Sequence, residues 1–240
     1  MERFTIQIAG HVVDVTTQFP HARKYCEEYL CDGTPEFAIE LTPQDITFER
    51  VTAEQEREIE GLPKKVFRDH VLERTALQRK IAEKLFEYNT LLFHGSVIAV
   101  DGQAYLFTAK SGTGKSTHTR LWRKKFGDRA VMINDDKPLL KICDNQVMVC
   151  GTPWDGKHRL NTNCIVPLKA ICILERGEEN HITPISAGQA LPMLFQQSHR
   201  PANIAKYMDL INDITALMPF YALRCNMDIS AAEIAYEAMR

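Results

Sequence analysis

The stretch Ala109-Lys110-Ser111-Gly112-Thr113-Gly114-Lys115-Ser116 stands between an apolar run, Gln103–Thr108, and a segment of helical character closed by Gly127. Two glycines one residue apart let the backbone bend until consecutive N–H groups face one point. A helix opening near Lys115 adds the positive end of its dipole at the same place. Lys115 brings a point charge, and Ser116 brings a hydroxyl suited to Mg2+. A strand, an anion-cradling loop and a helix in that order require a sheet with helices packed on it.

The usual form of this motif is G-x-x-x-x-G-K-[ST], and Ala109 stands where its first glycine belongs. Alanine is the smallest residue that carries a Cβ. With a negative φ at the strand exit the exchange costs little. The loop is therefore expected to bind the phosphates of ATP through Ser111, Gly112, Thr113, Gly114, Lys115, Ser116 and Thr117. The plain alternative, a Ser/Gly-rich turn that matches by accident, does not explain the strand, loop, Lys-Ser pair and helix in register.

A second apolar run follows the helix and ends in Asn134-Asp135-Asp136. Carboxylates at a strand end beside a phosphate loop suit Mg2+ or water bound to it. Two of them suggest two tasks, one holding metal with Ser116 and one accepting a proton from a hydroxyl. Asp-Asp-Lys-Pro also has good turn chemistry, but behind a phosphate loop the metal role is favoured. Which aspartate does which stays open. His94, before Gly95, stands at the entry of the first core strand, within reach of the same sheet edge. In the Gly- and Pro-rich stretch 151–163, Lys157 and Arg159 are the basic residues suited to phosphate oxygens or an anionic acceptor. Arg159 is the preferred one, and Asp155 is a further candidate ligand.

The pattern around these residues is mixed. Phe4–Ile8 alternates apolar and polar residues, and Ala9-Gly10 suggests a hairpin. Pro63 splits a helical region into two helices, and Leu77, Ile81, Leu85, Tyr88 and Leu92 form one apolar stripe that reads as packing. Asp101-Gly102 between two apolar runs is a strong hairpin signal. Strand patterns at 130–133, 138–142, 146–149 and 168–174, helical patterns at 186–198 and 203–217, and a closing strand and helix complete the chain. The expected fold class is α/β with α+β character. A mixed sheet core flanked by helices occupies 91–240, and a smaller α+β unit occupies 1–90.

Of the 240 residues, 45% are hydrophobic and 25% charged, the balance of an ordinary globule. A net charge of −2 gives no electrostatic ground for nucleic acid or an anionic membrane. The seven cysteines include no C-x-x-C pair, so neither a zinc knuckle nor a redox motif is indicated. No signal peptide or membrane span is read, and the expected location is the cytoplasm.

Together, His94-Gly95, the paired strands, AKSGTGKST and INDDKPLL resemble the carboxy-terminal kinase domain of HPr kinase/phosphorylase. More broadly they resemble the fold shared with phosphoenolpyruvate carboxykinase. The resemblance covers roughly residues 90–175. It implies that His94 lies near the transferred phosphate, that Lys115 and Ser116 bind phosphate and Mg2+, and that Asp135 and Asp136 share metal and base roles. The chain departs from that enzyme at Ala109, in the stretch after the Asp-Asp strand and over its first ninety residues. The expected function is ATP-dependent phosphoryl transfer to a serine-type hydroxyl of a peptide, protein or small molecule. A nucleotide-binding regulatory module and a carboxykinase-like enzyme are the alternatives. Assembly into a homo-oligomer stays open.

Overall fold

The computed structural model describes all 240 residues. Two compact units divide the chain, Met1–Lys84 and Leu85–Arg240. In the first, strands β1 (Glu2–Ile8) and β2 (His11–Thr17) form an antiparallel hairpin. Ala9 and Gly10 both take positive φ in its turn. After a short helix α1 (His21–Tyr25), strand β3 (Phe37–Glu40) pairs parallel to β2. Helix α2 (Pro43–Ile59) starts at a capping box in which Thr42 and Asp45 satisfy each other's backbone N–H, with Pro43 at its first position. The chain then turns at Gly61, ahead of Pro63, and helix α3 (Asp69–Phe86) follows.

The second unit is built on nine strands. They are β4 (Thr90–Leu92), β5 (Ser96–Val100), β6 (Gln103–Thr108), β7 (Ala130–Asn134), β8 (Leu139–Cys143), β9 (Gln146–Cys150), β10 (Ile165–Arg176), β11 (His181–Ile185) and β12 (Phe220–Cys225). Helix α4 (Lys115–Phe126) connects β6 to β7. Helices α5 (Ala187–Gln197) and α6 (Ile204–Leu217) lie between β11 and β12, and α7 (Ser230–Met239) ends the chain. The sheet is mixed. β5 pairs antiparallel with both β6 and β7, while β10 runs parallel to β6 and to β12. β10 joins the parts: Ile165–Pro167 pairs antiparallel with β9, a bulge follows between Leu168 and Ala170, and the rest belongs to the parallel region.

Both faces of this sheet are covered, which is why β5 reads as an unbroken apolar run rather than an alternation. Val97 and Ala99 of β5 join one core cluster with Leu194 of α5 and Tyr207, Ile211 and Ile214 of α6. Ile98 and Val100 join the other with Trp122 of α4 and Ala232, Ala235 and Met239 of α7. The mixed sheet flanked by helices that the sequence predicts is therefore present. Asp101 and Gly102 take positive φ at 52° and 79°, the geometry that the Asp-Gly hairpin signal calls for. Two strands escape the sequence reading, β4 and β11. β11 carries Pro184 and pairs only with β12, so it is an edge strand where a missing N–H is tolerated. No helix is long and apolar enough to cross a membrane.

Candidate active site

The loop after β6 has the backbone that its glycines suggest. Gly112 and Gly114 sit at φ 78° and 123°, conformations that an L side chain rarely adopts. A Cβ at Gly112 would meet open space, so backbone conformation rather than crowding demands glycine there. Gly114 caps α4, and Lys115 is the first helical residue. Ala109 is buried and is absent from the positive-φ residues, so its Cβ introduces no strain in place of a glycine. Its carbonyl accepts a hydrogen bond of 3.2 Å from Lys115 Nζ, which folds the lysine back over the loop. Burial lowers the Lys115 pKa, Asp136 and Asp135 pull it up again, and the net direction is down.

Facing this loop is the end of β7. Asn134, fully buried, accepts from the backbone N–H of Asp136 at 2.8 Å and of Lys137 at 2.6 Å. It donates through its amide to the Thr152 carbonyl at 2.9 Å. Thr152 in turn donates its hydroxyl to the Lys137 carbonyl at 2.7 Å. Asn134 thus builds an Asx turn that fixes the direction in which the two aspartates leave the strand. This positioning role is missed by sequence reasoning. Its only local signal is the Asn two residues ahead of the turn.

The two carboxylates meet different neighbours. Asp135 is 6% exposed, and its Oδ1 accepts from the Ser96 hydroxyl at 2.7 Å. Ser96 has one proton to give, so Thr119, 2.9 Å from Ser96 Oγ, is the donor in that contact. Asp136 lies 3.3 Å from His94 Nε2. Burial alone would raise its pKa. The hydrogen bond from His94, and the charges of Lys137, His94 and Lys115, outweigh that and leave it lowered. Backbone contacts brace the pair, since Gly95 N–H donates to the Asp136 carbonyl at 3.0 Å and Thr108 Oγ1 donates to the His94 carbonyl at 3.1 Å.

His94, Ser111, Gly112, Gly114, Lys115, Ser116, Thr117, Asp135 and Asp136 all line one cavity of about 410 Å3, with Gly156, Lys157 and His158 opposite. Thr113 faces a neighbouring cavity instead. Arg159 is not in either lining. It takes positive φ and pairs through Nη1 with Asp155 Oδ1 at 3.3 Å. Asp155 is fully buried and also accepts from the Asn161 amide at 2.5 Å, so its oxygens are engaged within their own loop. Lys157 and His158 are the residues of this loop at the cavity. Sequence reasoning weighed Lys157 and overlooked His158. Gly156, at φ 73°, packs its Cα side close to Asp136, where an added Cβ would lie 3.2 Å from Asp136 Cβ. Arg176, at the end of β10, was also missed. It donates through Nη2 to the Gly112 carbonyl at 2.5 Å and through Nε to the Thr113 carbonyl at 3.3 Å, clamping the loop from outside.

The donor chemistry suits a magnesium nucleotide. No three acidic, His or Cys side chains cluster as a self-sufficient metal cage. Mg2+ does not ask for one, because it is commonly held by one or two carboxylates together with phosphate oxygens and water. Ser116, Asp135 and Asp136 offer that set on the cavity that Gly112, Gly114 and Lys115 also line.

Residues 66–229 match the family described as SynChlorMet cassette protein ScmC. Among solved structures, the Hpr(Ser) kinase/phosphatase from Coxiella burnetii aligns with 10% identity and a TM-score of 0.38, covering 61% of this chain and 95% of that one. That level of likeness fixes neither fold nor activity. No curated protein matches the sequence.

Proposed function

We propose that this chain, which belongs to the SynChlorMet cassette protein ScmC family, is an ATP-dependent kinase that transfers a phosphoryl group to a hydroxyl of a peptide, protein or small molecule. The supporting observation is the convergence of Lys115, Ser116, Asp135, Asp136 and His94 on one cavity beside the phosphate loop. Phosphoryl transfer is carried by positioning and electrostatics, and these residues supply both. The amides of the loop and the first turn of α4 hold the phosphates. Lys115 exchanges the neutral Ala109 carbonyl for phosphate oxygens. Ser116 and Asp135 hold Mg2+, Asp135 in the rotamer that Ser96 imposes. When bound, Mg2+ supplies positive charge against the charge on the phosphate oxygens.

Asp136 is the base in this reading. Its lowered pKa keeps it ionised at neutral pH, and it stands at the open side of the cavity with His94 against it. The acceptor's O–H proton passes to Asp136 as the new O–P bond forms and ADP departs. Lys157 and His158 face the cavity from the opposite loop, where the Lys157 ammonium attracts the negative charge of the reactants and His158 offers a ring nitrogen for hydrogen bonding. The reaction draws on ATP, and we place it in the cytoplasm.

The test is incubation with labelled ATP and extracts or hydroxyl-bearing peptides, followed by mass spectrometry of whatever gains a phosphate. Lys115→Ala serves as the control. Loss of one charge-assisted contact, about 1.5–3 kcal/mol, weakens Mg-ATP binding roughly tenfold or more. Unchanged ATP affinity in a folded Lys115→Ala protein defeats the phosphate-loop assignment. Tight ATP binding without any phosphorylated product favours a regulatory nucleotide-binding module instead.

A further inference from the structure

A second cavity opens on the other side of the phosphate loop. It measures about 480 Å3, within the range of small-molecule sites. It shares Gly112, Gly114 and Thr117 with the proposed catalytic cavity, so one elongated ligand can occupy both. Its outer wall comes from the ends of β10 and β12, at Leu174–Gly177 and Cys225–Met227. These strands are parallel, and crevices beyond the carboxyl ends of parallel strands are where open α/β sheets take their ligands.

Two features of this cavity are left without a partner inside the protein. The first is His118, 3% exposed on α4. Its Nε2 is 2.9 Å from Trp122 Nε1, and an indole N–H only donates, so Nε2 accepts. Burial drives the imidazole pKa down to about 3, so the ring is neutral and its proton sits on Nδ1. That Nδ1–H has no acceptor. The second is Met227, an apolar side chain left 76% exposed at the cavity. Its place is set by Asn226, whose amide donates to the Glu178 carbonyl at 2.7 Å and whose Oδ1 accepts from the Asp228 N–H at 2.9 Å. Apolar walls at Leu174 and Met227, with one buried donor, suit a flat heteroaromatic ring that carries acceptor nitrogens. The cavity bounded by Ser116, Arg120, Arg123 and His158 differs, since two arginines line it and Leu160 is its one apolar side chain.

We infer that the cavity walled by His118, Leu174 and Met227 receives the base and ribose of the nucleoside triphosphate whose phosphates lie on the Gly112–Ser116 loop. This rests on the nucleotide reading proposed above. The phosphates enter the loop from one side and the nucleoside lies on the other, with Thr117 between them. A ring nitrogen or carbonyl of the base accepts from His118 Nδ1, and the Met227 thioether covers the exposed face of the ring.

Calorimetric titration of the full chain with Mg-ATP and with Mg-tripolyphosphate separates the two halves of the ligand. The wild type is expected to bind ATP about tenfold or more tightly than tripolyphosphate, since tripolyphosphate lacks the nucleoside contacts. Met227→Ser, a surface change that leaves the core untouched, should lower ATP affinity about threefold or more while tripolyphosphate affinity stays within about twofold. His118→Phe keeps a ring and removes the donor, and it should act in the same direction. Equal affinity for ATP and tripolyphosphate, or an ATP preference that survives both variants, overturns the nucleoside site and leaves the phosphate loop standing. Failure of the wild type to bind either ligand overturns the nucleotide reading, and this inference falls with it.

Discussion

At the scale of single residues, neighbours rather than sequence position separate Asp135 from Asp136. Asp135 is nearly enclosed and spends one oxygen on Ser96, which fixes its carboxylate in place and suits the ligand role proposed for it. Asp136 faces the cavity with His94 and is lowered in pKa without losing access. Asp136→Asn keeps size but accepts no proton near neutral pH. It should retain Mg-ATP binding while single-turnover transfer falls by roughly 10²–10⁴, the usual worth of a general base. Asp135→Asn should instead raise the Mg2+ requirement, with partial rescue by excess metal. A Mg2+ titration of both variants that leaves transfer at the wild-type rate would reduce the pair to a turn. Ala109 gives a second residue-scale test. Its site is buried but free of positive φ, so small size is what it needs. Ala109→Gly should leave ATP affinity within about threefold, whereas the branched Cβ of Ala109→Val should crowd the loop and weaken it further. A hundredfold gain from Ala109→Gly would mean that the native loop is impaired.

At the scale of elements, the loop between β6 and α4 is held by a residue more than sixty positions away. Arg176 on β10 ties the carbonyls of Gly112 and Thr113 to the neighbouring strand. Arg176→Leu removes both bonds from an exposed position that carries little of the core. We expect ATP affinity to fall about three- to tenfold, with the melting temperature within a few degrees of wild type. Unchanged affinity would show that the loop holds its shape without the clamp. The same residue shows where sequence reading stops. The hairpin at Asp101-Gly102, the loop, and helix α4 up to Gly127 are legible because each follows from local chemistry, namely positive-φ turn residues, an amide cradle and a capped helix. The strand order is not legible, because β10 meets β6, β9 and β12 through pairings that no local pattern encodes. Nor is the Arg176 clamp. Asn134 was read only as part of an acidic strand end, since its tie to Thr152 crosses eighteen residues. Arg159 is the instructive case. Its charge suggested an anion contact, but a buried Asp155 four residues earlier pairs with it, and the neighbours that reach the cavity are Lys157 and His158.

At the scale of the whole molecule, one buried imidazole couples stability to pH. An exposed histidine titrates near 6.5. His118 titrates near 3 in the folded chain, and burial is the only cause, with no charged group acting on it. Between those values the unfolded chain binds a proton at this residue that the folded chain refuses. Stability therefore rises with pH across that window. The contribution is complete above about pH 6.5 and is lost as pH falls toward 3, with a limiting slope of about 1.4 kcal/mol per pH unit for one proton. Asp136 and Asp45, both lowered, add losses of the same sign only below about pH 4, the ordinary carboxylate range. The interval from pH 6.5 to 4.5 therefore separates His118 from these carboxylates, and the other shifted groups near it, His70 (lowered) and Glu73 (raised), belong to Met1–Lys84 and act with opposite signs. Both tryptophans, Trp122 and Trp154, belong to Leu85–Arg240, so indole fluorescence reports this unit while circular dichroism reports both units. Urea titrations followed by fluorescence should show a midpoint that falls steadily from pH 6.5 to 4.5. His118→Phe should lower stability at pH 7, because Trp122 Nε1–H loses its acceptor, and should flatten the slope over that interval. A variant with the wild-type slope would mean that other groups carry the acid sensitivity and that His118 is protonated without unfolding the sheet.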